Sequence, residues 1–284
     1  MIERPRHLQL PAVTVALDGG HSRRGERSVA VETAINVVYG GVPFAVMMTT
    51  PADFEDFAYG FSLTEGVIER ADQVRSVAIE EGEEGLRLLV EIAPDRLHNH
   101  LARRRAMSGR TGCGVCGIDD LAALNRAGGS GGAGASPVIA LEAVAAALAA
   151  LPERQELNVA TGAVHAASFV DLAGRILLIR EDVGRHNALD KLIGAALRAN
   201  VDPLSGFVLM TSRCSFELVE KTAVFGARAL VTISGPTSLA IERARRLDIA
   251  LGALARGGTL TVFHAPDRIG VGRPAKVGET VPSI

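Results

Sequence analysis

Arg180-Glu181-Asp182-Val183-Gly184-Arg185-His186-Asn187-Ala188-Leu189-Asp190-Lys191 is the stretch on which the fold turns. Ahead of it, Arg175–Arg180 holds the unbroken apolar run of a buried strand. After it, Leu189, Leu192, Ile193, Ala196 and Leu197 recur at helical spacing. The stretch is therefore a strand end, a glycine turn and a helix start. Upstream, Ala166–Val170 predicts a strand joined to the first by a turn at Leu172-Ala173-Gly174. Downstream the alternation continues: strand Phe207–Thr211, helix Phe216–Phe225, strand Leu230–Ser234, helix Thr237–Leu247 and a last strand at Thr259–Phe263. Such alternation predicts a three-layer α/β domain. The Pro/Gly-rich tail beyond His264 is expected to be loose.

The preceding half differs. Residues up to about 27 are polar and Arg-rich, with Gly19-Gly20, and are expected to form a frayed arm. Two β-branched runs flank Gly40-Gly41, as in a hairpin. Thr50-Pro51 has the form of an N-cap followed by the first helical position, and Phe54, Phe57, Ala58 and Phe61 share one helix face. Strands are expected at Val74–Ile79 and Leu86–Ile92. The run AGGSGGAGAS is a flexible stretch. It divides residues 1–135, a smaller α+β domain, from residues 136–284, the α/β domain. Ser136-Pro137 is expected to open a helix running to about Leu151.

The chain has 284 residues, of which 48% are hydrophobic, 22% charged and 4% aromatic, without Trp. Its core must be aliphatic. A net charge of -2 is no footprint for non-specific nucleic-acid binding, which needs a broad basic excess. No apolar run approaches the roughly 20 residues of a membrane span, and MIERPRHLQLPAVTV lacks a secretory core. A cytoplasmic location, away from membranes and nucleic acid, is the expectation.

Three cysteines are too few for a disulfide framework. Cys113 and Cys116 form a C-x-x-C in Thr-Gly-Cys-Gly-Val-Cys-Gly, preceded by Arg103, Arg104, Arg105 and Arg110. Zinc would need two more ligands, and Cys214, His165 and His186 are each isolated in sequence. Three glycines favour a mobile loop over the helix start of a thioredoxin-like dithiol. Nearby cations favour thiolate, the species that attacks a persulfide.

Ligands of open α/β sheets bind at the carboxyl ends of strands, where helix N-termini offer free N–H groups to phosphates. Three turns fit such an edge: Thr161-Gly162-Ala163-Val164-His165, Thr211-Ser212-Arg213-Cys214-Ser215 and Ser234-Gly235-Pro236-Thr237-Ser238. With Arg185 and His186 they predict a phosphate or nucleotide pocket. Ser212, Arg213 and Thr237 would meet phosphates, and Asp182 or Asp190 would accept from the N–H groups of a guanine edge. Plain helix capping competes for every hydroxyl. A zinc deaminase would show H-x-E and P-C-x-x-C here. His186-Asn187-Ala188 lacks the Glu, and Cys214-Ser215-Phe216-Glu217 lacks the second Cys and the Pro, so deaminase chemistry is not expected.

Together, Thr50-Pro51, Gly60-Phe61, Glu65-Gly66, Arg110-Thr-Gly-Cys-Gly-Val-Cys-Gly117, Thr161-Gly162, His165-Ala166, Glu181-Asp-Val-Gly-Arg-His-Asn-Ala188, Asp190-Lys191 and Pro236-Thr-Ser-Leu-Ala240 resemble the FdhD family of sulfurtransferases required for formate dehydrogenase activity. The resemblance implies a C-terminal half similar to cytidine deaminase. It implies that Cys113 takes persulfide sulfur from a cysteine desulfurase, with Cys116 as second thiol. The acceptor would be molybdenum bis(molybdopterin guanine dinucleotide), for which GDP or GMP would serve as mimic. The client would be formate dehydrogenase, and the chain a homodimer. By the family pattern the cofactor segment falls on Ala253, Leu254, Ala255, Arg256, Gly257 and Gly258. Two departures stand out: Thr211-Ser212-Arg213 for the common Ser-Gly-Arg, and Thr161-Gly162-Ala163 for Thr-Gly-Gly. The alternative is a chaperone that binds the molybdenum cofactor without using its cysteines.

Overall fold

A computed structural model of the protein describes residues 4–82, 85–97 and 136–270. The chain begins with a hairpin that forms a two-stranded sheet of its own, β1 (His7–Val15) and β2 (Ser22–Ala30), paired from His7↔Ala30 to Val15↔Ser22. This corrects the expected frayed arm. Within the Arg-rich composition Leu8 and Leu10 fall on one face of β1 and Val13 and Val15 on the other, and Gly19 turns the chain at φ 77°. Both faces of the hairpin are largely exposed.

β3 (Thr33–Tyr39), β4 (Val42–Thr49), β5 (Val74–Gly82) and β6 (Gly85–Ile92) form a second sheet in the order β4-β3-β6-β5. Ile35, Val37, Tyr39, Leu88 and Val90 are buried against α1 (Phe54–Thr64), which turns Phe57 and Phe61 toward them. Burying one such phenylalanine stabilises the fold by roughly 2–3 kcal/mol. The helix starts later than Thr50-Pro51. Its N-cap is Asp53, in the left-handed region at φ 54°, because Thr49 and Thr50 are engaged elsewhere, as described below.

Past residue 136, α2 (Leu141–Arg154) and a short α3 (Glu156–Thr161) lead into the main sheet. Ser136-Pro137 does not open α2. That segment is extended, with the Ile139 N–H donating to Arg268 O at 2.9 Å. The main sheet comprises β7 (His165–Asp171), β8 (Ile176–Asp182), β9 (Gly206–Met210), β10 (Ala229–Thr232), β11 (Ala250–Arg256) and β12 (Thr259–His264), in the order β12-β11-β10-β9-β7-β8. Between the strands run α4 (Arg185–Arg198), α5 (Phe216–Phe225) and α6 (Ser238–Arg246). Successive residues of β9 serve opposite faces: Val208 and Met210 join one core cluster, Phe207 and Leu209 the other. α4, α5 and α6 contribute to the first cluster and α2 to the second, so the three-layer α/β expectation holds.

The first cluster does not stop at the second sheet. It runs from Ile35, Phe57 and Phe61 into Leu189, Leu192 and Ile193 of α4. α1 and α4 cross at backbone contact, at Gly60 and Gly194. The expected boundary at residue 135 lies outside the described residues, but the elements on either side of it share one core.

Candidate functional site

Pairing directions decide what the main sheet presents. β8 is antiparallel to β7, β7 is antiparallel to β9, and β9, β10 and β11 are mutually parallel. The carboxyl ends of β8, β9, β10 and β11 therefore share one edge, with His165 at the start of β7 beside them. The N-termini of α4, α5 and α6 open on the same edge. Backbone bonds lace its loops together. Cys214 N–H donates to Gly235 O (3.2 Å), Thr237 N–H to Cys214 O (3.0 Å) and Leu254 N–H to Ser234 O (3.3 Å).

Asp182 and Asp190 correct the expectation that either reads a guanine edge. Asp182 is fully buried, and its carboxylate accepts from the Thr50 N–H (3.0 Å), the Gly184 N–H (2.8 Å), Asn187 Nδ2 (3.1 Å) and Lys191 Nζ (2.6 Å), as well as from Thr49 Oγ1. Lys191 Nζ also reaches Thr50 O at 2.9 Å. This clasp fastens the loop before α1 to the start of α4 and explains why Thr50 is no N-cap. Asp190 is buried against Lys221 Nζ (2.9 Å) and Thr64 Oγ1 (2.7 Å). Neither carboxylate has an oxygen to offer a ligand. The sequence pattern could not separate these buried aspartates from exposed ones, because their partners lie far along the chain.

Several hydroxyls are also spent. Thr161 Oγ1 donates to Leu157 O at 2.8 Å, and Gly162 is the left-handed C-cap of α3. Ser212, buried, donates to Arg213 O at 3.0 Å. Thr211 Oγ1 accepts from the Ala166 N–H at 2.9 Å. Thr237 caps α6, accepting from the Ala240 N–H at 3.2 Å. Ala253 and Ala255 bury their side chains. Leu254 forms a bulge at φ 56°, and Arg256, Gly257 and Gly258 make the exposed β11–β12 turn. β11 itself was missed in the sequence, since alanine is a weak strand former whose place is fixed by burial on both faces.

What remains open at the edge is cationic. Arg185 and Arg213 have no hydrogen-bond or ion-pair partner among the described residues, and Arg185 Nε is buried without one. His165 is half-buried beside them. Burial first, then the Arg185 and Arg213 guanidinium charges, hold its ring below the ordinary value of 6.5. The unfolded chain thus protonates this ring before the folded one, so this residue erodes stability as pH falls through and below about 6.5. In an NMR titration His165 is expected to have its midpoint on the acid side of free histidine, and Arg213→Ala to move it back upward. An unperturbed midpoint in the parent protein would contradict this electrostatic picture.

His186 was expected at this edge, but its partner was not. Its Nε2 lies 2.8 Å from Glu217 Oε2 and 3.3 Å from Ser215 Oγ. Glu217 stands in the first turn of α5, and its carboxyl is held below the usual range chiefly by the hydrogen bond with His186. Cys214 is buried, and burial pushes its thiol up to about 12. Among the described residues no three His, Cys, Asp or Glu side chains are grouped to hold a metal ion, and no helix is long and apolar enough to cross a membrane. Cys113 and Cys116 lie outside the described residues.

A cavity of about 270 Å³ lies near the hairpin base, among Arg6, Asp53, Arg154 and, from the end of β8, Arg180 and Glu181. Its charges are largely spent on one another: Arg6 pairs with Glu156, Arg180 with Asp56, and Glu181 accepts from the Leu157 and Asn158 N–H groups at the start of α3.

The chain is similar to known proteins along most of its length. "Sulfur carrier protein FdhD" of Xanthomonas euvesicatoria pv. vesicatoria (strain 85-10) is 46% identical over 261 residues, covering 92% of each chain. The protein of the same name from Cupriavidus necator is 44% identical over 252 residues, 87% of each. A crystal structure from Desulfotalea psychrophila, described as a formate dehydrogenase accessory protein, superposes with a TM-score of 0.70 at 23% identity. It covers 93% of this chain and 100% of that one, a likeness of fold. The family model described as FdhD/NarQ matches residues 30–270, and with these identities it establishes that the chain belongs to the FdhD/NarQ family.

Proposed function

We propose that this chain is a sulfur carrier. In this reading Cys113 takes sulfur from a cysteine desulfurase and delivers it to a molybdenum cofactor bearing guanine dinucleotides, in service of formate dehydrogenase. The state of Cys214 carries the reading. The chain has three cysteines, and burial keeps the Cys214 thiol protonated and out of reach. A cysteine-based carrier must then use Cys113 or Cys116, the pair that follows four arginines. The relatives named sulfur carriers supply the class of activity.

The loading step balances without an external oxidant. The Cys113 thiolate attacks the outer sulfur of the donor's Cys–S–SH. That S–S bond breaks as a new one forms on Cys113, and the donor cysteine departs as thiolate. The acceptor is the substrate of the second step. Its phosphates suit the cationic edge, where Arg185, Arg213 and the starts of α4, α5 and α6 would hold them. His165, kept neutral beside these cations, adds no charge of its own.

In cells lacking their own copy of such a protein, the parent chain is expected to restore formate dehydrogenase activity and the Cys113→Ala/Cys116→Ala double variant to leave none. Activity restored by the double variant would favour a chaperone that does without its thiols.

We further propose a homodimer, with the β1–β2 hairpin as its arm. A two-stranded hairpin is marginal in water, and beyond its contact with α3 this one exposes Leu8, Leu10, Val13, Val15 and Val29. Light scattering is expected to give two copies for the parent chain and one after removal of residues 1–30; a dimer that survives the deletion would contradict the assignment.

A further inference from the structure

The edge is rich in donors and poor in acceptors. Arg185 and Arg213 donate only. Asp182 and Asp190 are buried against their own lysines, and the hydroxyls of Thr211, Ser212 and Thr237 are engaged with backbone groups. A nucleotide presents more than phosphate. Its sugar hydroxyls and base N–H groups need acceptors, and a site without them would hold pyrophosphate as readily as a nucleotide.

Among the described residues His186 offers an acceptor whose orientation is set. Glu217 is ionised, and a carboxylate only accepts, so the His186 nitrogen facing it, Nε2, carries the proton. In the neutral ring the other nitrogen, Nδ1, is then the acceptor. Among the described residues nothing bonds Nδ1, and it is not among the buried polar atoms left unpartnered. Ser215, the N-cap of α5, buttresses the pair: its hydroxyl lies 3.3 Å from Nε2 and 3.5 Å from Glu217 Oε2. The imidazole is thus fixed at the start of α4, next to Arg185, with one nitrogen tied back to α5 and the other uncommitted. A carboxylate that orients a histidine in this way also selects which tautomer a ligand meets.

We propose that Glu217 is a positioning residue for nucleotide recognition: by fixing His186 through Nε2 it presents Nδ1 to an N–H or O–H donor on the nucleoside part of the ligand. This rests on the reading of the edge as the nucleotide-holding site. The role is one of specificity. Arg185 and Arg213 hold the phosphates, and His186 distinguishes a nucleotide from a bare diphosphate.

Calorimetry with two probes, GDP and inorganic pyrophosphate, on the full chain at pH 8 separates these contributions. Glu217→Ala and His186→Phe are each expected to weaken GDP about ten-fold, the worth of one good hydrogen bond, and to leave pyrophosphate within about two-fold. Glu217→Gln is expected to restore GDP binding, because its side-chain carbonyl accepts from Nε2–H as the carboxylate does. A general loosening of the edge would instead weaken both probes together and would not be rescued by glutamine. Unchanged GDP binding in Glu217→Ala, or equal losses for GDP and pyrophosphate, would overturn the proposal while leaving the cationic edge standing. A parent protein that binds neither probe would overturn the nucleotide-edge reading, and this proposal with it.

Discussion

Gly194→Ala is expected to destabilise the protein by at least ~3 kcal/mol, read as a fall in the urea midpoint with little change in slope. In an exposed helix the same change is favourable by about 1 kcal/mol, since alanine is the better helix former. Here the sign reverses. A Cβ at 194 would lie 1.7 Å from Asp56 O, 2.6 Å from Asp56 C and 2.9 Å from Gly60 N. Its counterpart Gly60 would place a Cβ 1.8 Å from Asp190 O and 2.7 Å from Asp190 C. All of these neighbours are backbone, so no rotamer change relieves the clash. α1 and α4 would have to separate, opening the packing of Phe57 and Phe61 on Leu189, Leu192 and Ile193. Gly60→Ala should behave alike. A midpoint that is unchanged or raised in either variant would contradict backbone contact between the helices.

Lys191→Met ranks next, with an expected loss of ~3–5 kcal/mol. It leaves the Asp182 carboxylate buried without its cation, although the Thr49, Thr50, Gly184 and Asn187 donors remain. Adding Asp182→Asn should recover part of that loss, because a neutral pair no longer strands a charge. The coupling in the double-mutant cycle is expected near 2 kcal/mol. Strictly additive losses would mean that the two groups do not sense each other. The clasp also bears on the edge. Arg185 and His186 lie between Asp182 and Lys191 in sequence, so what fastens the strand end to the helix also sets where those two side chains emerge.

The α/β half was legible because its apolar periods are long and its turns carry glycine. Phe216–Phe225 was read to the residue, and the paired strands around Gly174 within one or two. Elements whose shape comes from distant neighbours were not legible. β11 is alanine-rich and becomes a strand by lying between β10 and β12. α3 is a short helix started by Glu181 from another strand. β1 and β2 were hidden by arginine and by the lack of a single apolar face: Leu8 and Leu10 lie on one side of β1, Val13 and Val15 on the other.

The site divides in the same way. Arg185, His186 and Arg213 follow from the rule that ligands meet strand ends, and nothing among the described residues engages the arginines. Asp182 and Asp190 satisfied that rule equally well and were claimed by Lys191 and Lys221 instead. Glu217 gave no sign of its pairing with His186. A glutamate in the first turn of a helix is ordinary, and only the sheet order brings it within 2.8 Å of His186.

The most direct test of a cysteine-borne sulfur is mass spectrometry of the peptides after incubating the chain with a cysteine desulfurase and free cysteine. The added mass of one sulfur atom should appear on the peptide holding Cys113 and Cys116, vanish in Cys113→Ala and never reach the peptide holding Cys214. Sulfur found on Cys214, or loading that persists on the 113–116 peptide when both of its cysteines are alanine, would contradict the account.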